Sequence, residues 1–190
     1  MKDVVLWWIG ASEANPDLLE RVRRRIASEF GAPARLLPAP GRPVDTWDER
    51  RRQHASAKVL KWLLASRPPE AVRVLGLTDA DLFIPILTFV FGEAQLKGRA
   101  AVVSTARLSA PPAARLPARL ETEAVHELGH TFGLLHCHEP SCAMARSGNL
   151  THVDAKRPAL CHACRALYTE RADQIGDLDE QEEHPDPHRR

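Results

Sequence analysis

Apolar residues along the chain follow two rhythms. The run Val4-Val5-Leu6-Trp7-Trp8-Ile9 is continuous and stops at Gly10, which predicts a short strand buried on both faces. Over residues 16–30, Leu18, Leu19, Val22 and Ile26 recur at three- and four-residue steps instead. Pro16 stands in the first turn of that pattern and Gly31 just past its end, so a helix is predicted there. Residues 34–37 predict a second strand, and 38–43, with three prolines and Gly41, a loop.

The two rhythms continue downstream. A helix is predicted over residues 47–66, with Val59, Leu60, Leu63 and Leu64 facing the core and Pro68-Pro69 stopping it. Residues 72–77 predict a strong strand. Residues 88–91 and 99–104 predict two more, joined by a polar connection at 93–97. Residues 109–117 are rich in Pro and Ala and predict a surface connection. Helices are expected at about 119–134, with Glu121 and Glu123 in the N-terminal turn, and over 158–173. Strand–helix–strand–helix–strand order predicts an α/β fold (α+β mixed) with a twisted, largely parallel sheet and some antiparallel edge. From Gly176 onward almost no residue is apolar, so 176–190 reads as a disordered tail to a single domain over 1–175.

Composition narrows the function classes. With 190 residues, 44% of them hydrophobic, one core is expected. Twenty-six basic and 25 acidic residues give a net charge of +1, so neither nucleic acid nor an anionic membrane is an expected partner. The arginines at 21–25 and 50–52 read as solvated helix faces. No apolar run approaches the roughly 18 residues of a membrane span. Residues 4–9 read as a strand rather than a secretory segment, which makes a reducing cytoplasm the expected compartment and disulfides unexpected. A monomer is the favoured oligomeric state.

Chemistry concentrates in residues 126–144, HELGHTFGLLHCHEPSCAM. His126 and His130 are one turn apart on a helix, separated by about 40° around its axis, so two imidazoles can grip one ion. Val125, Leu128, Phe132 and Leu135 form the core-facing stripe on the other side. Gly133 permits φ > 0, so the chain can leave the helix sharply and return His136 as a third ligand. Three protein nitrogens leave zinc a fourth position for water, the arrangement of a catalytic site. Glu127 stands where the general base for that water belongs.

Four cysteines form two close pairs, Cys137 with Cys142 and Cys161 with Cys164. Pairs separated by a loop fit a structural zinc site of four thiolates. The alternatives are a redox CxxC, which wants a strand–turn–helix context, two disulfides, or replacement of one sulfur by His138, His152 or His162.

HELGHTFGLLHC, then CAM at 142–144 and a later CxxC, resembles the archaemetzincins, a branch of the metzincin zinc peptidases. The likeness extends upstream through LGLTDADLF (75–83) and FVFGEAQLKGRAAVVST (89–105), and covers most of residues 70–165. It implies a metzincin-like single domain with an active-site helix and a small zinc-stapled C-terminal part. It also implies two Zn2+ ions. A catalytic one lies on His126, His130 and His136, with Glu127 as base; a structural one lies on Cys137, Cys142, Cys161 and Cys164. A Met-turn at Met144 passes beneath the site. The implied partner is a peptide or protein substrate. Residues 89–104 offer either an edge strand on which an extended peptide adds or an ordinary sheet edge. Tyr168, the only tyrosine, is a chemical candidate for oxyanion stabilisation, with core packing as the stronger reading. Two rivals to a peptidase are a catalytically quiet peptide-binding zinc protein and a thiol-transfer protein working through Cys161 and Cys164.

Overall fold

The computed structural model describes residues 3–183. β1 (Asp3–Trp8), α1 (Pro16–Phe30) and β2 (Ala34–Leu36) open the chain close to the predicted positions. Asn15 caps α1 by accepting the Leu18 N–H, and Gly31 ends it at φ 59, in the left-handed region that glycine tolerates. β5 (Ala71–Thr78) and β8 (Ala100–Ser104) complete a parallel set, and β7 (Gly92–Ala94) closes one edge antiparallel to β8. The order is β2-β1-β5-β8-β7, so the largely parallel sheet with one antiparallel edge is as predicted.

Alternation along the central strands explains the layers. Val4 and Leu6 face one way, packing with Val22 and Ile26 of α1 and with Leu120, Val125 and Leu128 of α4 (Leu116–Thr131). Val5 and Trp7 face the other way, against Val59, Leu60 and Leu63 of α2 (Ser56–Ser66). Both sheet faces are thus covered by helices, which is why β1 reads as a continuous apolar run.

Several expectations shift. The helix predicted from residue 47 begins only at Ser56. Ahead of it, β3 (Trp47–Asp48) and β4 (Gln53–Ala55) form a hairpin that joins β6 (Leu82–Phe83) in a second sheet. The Asp48 carboxylate accepts the Arg51 N–H at 2.9 Å and its carbonyl accepts the Arg52 N–H at 2.8 Å, so a turn outcompetes the helix. The arginines at 50–52 therefore sit at a hairpin turn, and Leu64 is exposed.

Residues 88–91 form no continuous strand, because they divide their bonds between the two sheets. Val90 donates to Leu82 O at 2.9 Å and Phe91 O accepts from Ser104 N at 2.8 Å. The edge strand β7 falls instead in the segment expected to be a polar connection. Leu135 is exposed because α4 has already ended, and Leu134 takes the buried place. Glu121 and Glu123 lie buried within α4 rather than in its first turn. Glu121 receives Arg21 at 2.8 Å and Arg25 at 3.3 Å, so part of the 21–25 arginine patch is paired.

Two short helices, α3 (Thr105–Leu108) and α5 (Leu150–Ala155), have no sequence signal strong enough to predict them. α6 (His162–Glu183) runs past the expected end at 173 through a stretch rich in Glu and Gln, both good helix formers. Residues 184–190, the rest of the expected tail, lie outside the described residues. No helix among the described residues is long and apolar enough to cross a membrane.

Candidate functional site

α4 carries His126, Glu127 and His130 against the sheet, and the turn after it returns the third imidazole. Gly133 adopts φ 84 and donates its N–H to His130 O at 2.8 Å, while Leu134 N reaches Gly129 O at 3.0 Å. The three rings converge. Their centroids lie 4.6 Å apart for His126 and His130, 5.4 Å for His126 and His136, and 5.0 Å for His130 and His136. His126 is buried, His130 half-buried and His136 exposed, so the centre opens on one side.

Hydrogen bonds fix the tautomers. His126 Nδ1 lies 2.8 Å from Ala143 O and His130 Nδ1 2.7 Å from Leu134 O. A carbonyl only accepts, so both protons sit on Nδ1 and both Nε2 atoms present lone pairs. Those two Nε2 atoms are 3.2 Å apart. Two lone pairs at that distance repel unless a cation lies between them, so this donor set fits a divalent metal ion. Burial holds His126 well below its ordinary pKa, assisted by the Lys156 ammonium, and burial also lowers His130 and His136. Neutral imidazoles are what such an ion requires.

Glu127 borders a cavity of about 510 Å³, together with His126, His136, Gly92 and the exposed Ile86 and Leu87. Burial pushes its carboxyl well above the usual carboxylate range, and the Glu123 charge adds to that. β7 passes directly alongside. A Cβ on Gly92 would lie 2.6 Å from Glu127 Cγ and 2.6 Å from Val102 O, so only glycine fits. Beneath the helix, the fully buried Met144 places its sulfur where a Cβ on Gly129 would meet it at 2.5 Å.

The sulfurs of Cys137, Cys142, Cys161 and Cys164 all lie within 4.8 Å of one another. Cys137 and Cys161 are 3.8 Å apart, and backbone N–H groups of Glu139 and Cys161 point at the Cys137 and Cys142 sulfurs. Burial raises the Cys142 and Cys164 thiols, whereas a backbone N–H of Cys164 lowers Cys161. Four convergent sulfurs fit a tetrahedral ion better than a lone redox pair. Among the described residues, His138, His152 and His162 do not join the group.

Tyr168 is not in the cleft. It is buried between Phe30 and Phe132 with its hydroxyl donating to Phe30 O at 2.6 Å, which is core packing. Sequence reasoning also missed Gly92, Ala143 and Lys156 as neighbours of the site. Only Glu123, four residues before Glu127 and so on the same helix face, carried a local signal.

Residues 70–170 match peptidase family M54. The archaemetzincin of Methanopyrus kandleri is 44% identical over 125 residues, covering 66% of this chain and 71% of the relative. The chain belongs to peptidase family M54. The archaemetzincin of Methanocaldococcus jannaschii is 35% identical over 158 residues, 80% of this chain and 86% of its own. A crystal structure of the Methanopyrus kandleri archaemetzincin superposes with a TM-score of 0.81 at 34% identity, over 90% of this chain and 96% of that one. Membership makes this chain a zinc metallopeptidase, a hydrolase acting on peptides.

Proposed function

We propose that peptide hydrolysis takes place at the His126–His130–His136 centre with Glu127 as general base, and that the four cysteines hold a second, structural zinc. The observation that carries this reading is the pair of Nε2 atoms 3.2 Å apart, with the buried Glu127 carboxyl bordering the same cleft. A zinc ion held by these three imidazoles would supply Lewis acidity, polarising the scissile carbonyl and acidifying the attacking water.

The remaining steps belong to the chain's own side chains. Glu127 takes the proton of the attacking water on a carboxylate oxygen and returns it to the leaving amine nitrogen. β7 is one of the two edge strands of the sheet and borders the cavity at Gly92, so an extended substrate can add there as a further strand. Cys137 follows His136 directly, so a metal on the four sulfurs would anchor the returning turn.

Glu127→Ala tests the assignment. The variant is expected to retain the zinc content of the parent, two equivalents by elemental analysis, and to lose turnover of a peptide library. Cleavage at the parental rate removes Glu127 as the base. One equivalent of zinc in the parent removes one of the two centres.

A further inference from the structure

We propose that Lys156 is a positioning residue for the histidine centre, acting through the carbonyl of Ala143. The inference rests on reading His126, His130 and His136 as metal ligands and adds to it the device that aims the first of them.

One carbonyl oxygen serves two donors. Ala143 O accepts His126 Nδ1–H at 2.8 Å and the Lys156 ammonium at 3.1 Å. The same ammonium donates to Glu123 Oε1 at 2.9 Å, and Ser147 Oγ reaches that oxygen at 3.3 Å. The Lys156 side chain is 0% exposed and that of Glu123 3%, so this is an ion pair removed from water. The surrounding backbone is fixed too. Ala143 N donates to Ala159 O at 2.9 Å and Arg157 N to Ser141 O at 2.9 Å, so the segment carrying Lys156 runs beside the one carrying Ala143.

Stability alone is a weak reason for such a pair. Taking two charges out of water costs about what their attraction returns, and apolar side chains of similar volume often replace them without loss. Orientation gives a better reason. An imidazole on a metal has its direction set by the acceptor on its other nitrogen. Here that acceptor is a backbone oxygen in a turn, and the ammonium pins it from a second direction. Glu123 supplies the negative charge that lets a lysine stand there, one helical turn before Glu127 on the same helix.

The test uses Co2+ added to the metal-free full-length protein, because thiolate and imidazole coordination give separate absorption bands. Lys156→Met is expected to weaken Co2+ binding at the imidazole bands by roughly 10–100-fold in chelator competition while leaving the thiolate bands unchanged. Lys156→Arg should recover part of that loss. Glu123→Leu combined with Lys156→Met removes both charges. It should fold with a Tm at or above the parent's and still bind weakly at the histidines. Equal imidazole-site affinity in Lys156→Met overturns the proposal, as does full recovery in the double variant. If Lys156→Met does not fold, the double variant decides alone. A parent whose imidazole bands survive His126→Ala loses the metal-centre reading and this inference together. Parent and variant binding equally well at bands that His126→Ala abolishes sinks only the inference.

Discussion

Gly129 stands on α4 between His126 and His130, where alanine would ordinarily be the better residue by about 1 kcal/mol of helix propensity. At an open position Gly129→Ala would therefore stabilise. This position is closed. The added methyl would lie 2.5 Å from Met144 Sδ, 3.3 Å from Met144 Cε and 3.5 Å from Leu134 Cδ1. Attractive contact needs about 3.5–4.0 Å, so the sulfur must retreat by roughly 1 Å. Met144 is fully buried and the sulfur lies within its side chain rather than at the tip, so the shift passes into the core. Overpacking of this kind costs about 1–3 kcal/mol. After subtracting the propensity gain, a net loss of about 1 kcal/mol remains, or about 2–4 °C in Tm for a chain of this size. Met144→Ala alone should cost about 2–5 kcal/mol through the cavity it leaves. Combining the two lets the new methyl occupy part of that cavity, so the double variant should be more stable than additivity predicts by about 1–2 kcal/mol. Thermal melts of the four zinc-loaded proteins measure the cycle. A more stable Gly129→Ala protein, or additive losses, would refute the claim that the methionine sulfur fills the space beside that glycine.

Gly92→Ala would press on both the Glu127 side chain and the Val102 carbonyl, so kcat should fall by about 10²-fold with zinc content unchanged. Steady-state kinetics beside elemental analysis check this, and an unimpaired kcat would separate β7 from the base. Arg119 grips Asp154 through two bonds at 2.7 and 2.9 Å and holds its carboxyl below the ordinary carboxylate value. A depressed folded-state pKa contributes stability above the unfolded value near 3.9 and loses it as pH falls through the folded one. Asp154→Asn should accordingly cost about 1.5–3 kcal/mol at pH 7, with the gap to the parent closing below about pH 4. Denaturant melts across that range test it, and a gap independent of pH would show that the carboxylate charge is not what matters.

What the sequence reveals divides along physical lines. β1, α1 and β5 were legible because burial on a sheet face or helix stripe imposes a period that neighbouring residues obey. The convergence of the histidine set and of the cysteine set was legible because short spacings in the chain bring such side chains together locally. The hairpin over 47–55 was not, since a single carboxylate turning the backbone at Asp48 leaves the helical spacing of Val59, Leu60 and Leu63 untouched. The placement of β7 was lost for a related reason, as residues 88–91 look strand-like while their hydrogen bonds are shared between two sheets. Lys156 was invisible because its partners, Glu123 and Ala143, are 33 and 13 residues away. Contacts at such range leave no periodicity behind.

His136 and Cys137 are neighbours in the chain yet belong to different groups of donor atoms. Cys137 N also ties to Met144 O at 2.9 Å, which closes that short stretch on itself. A single peptide bond therefore separates an imidazole of one centre from a sulfur of the other, and the polymer has no slack there. Inserting or deleting one residue at that junction would swing one set of donors out of register with the other. The stretch between Met144 and Cys161 carries no donor of either group, yet Lys156 ties it to Glu123 and Ala143, so its length is constrained from that side instead.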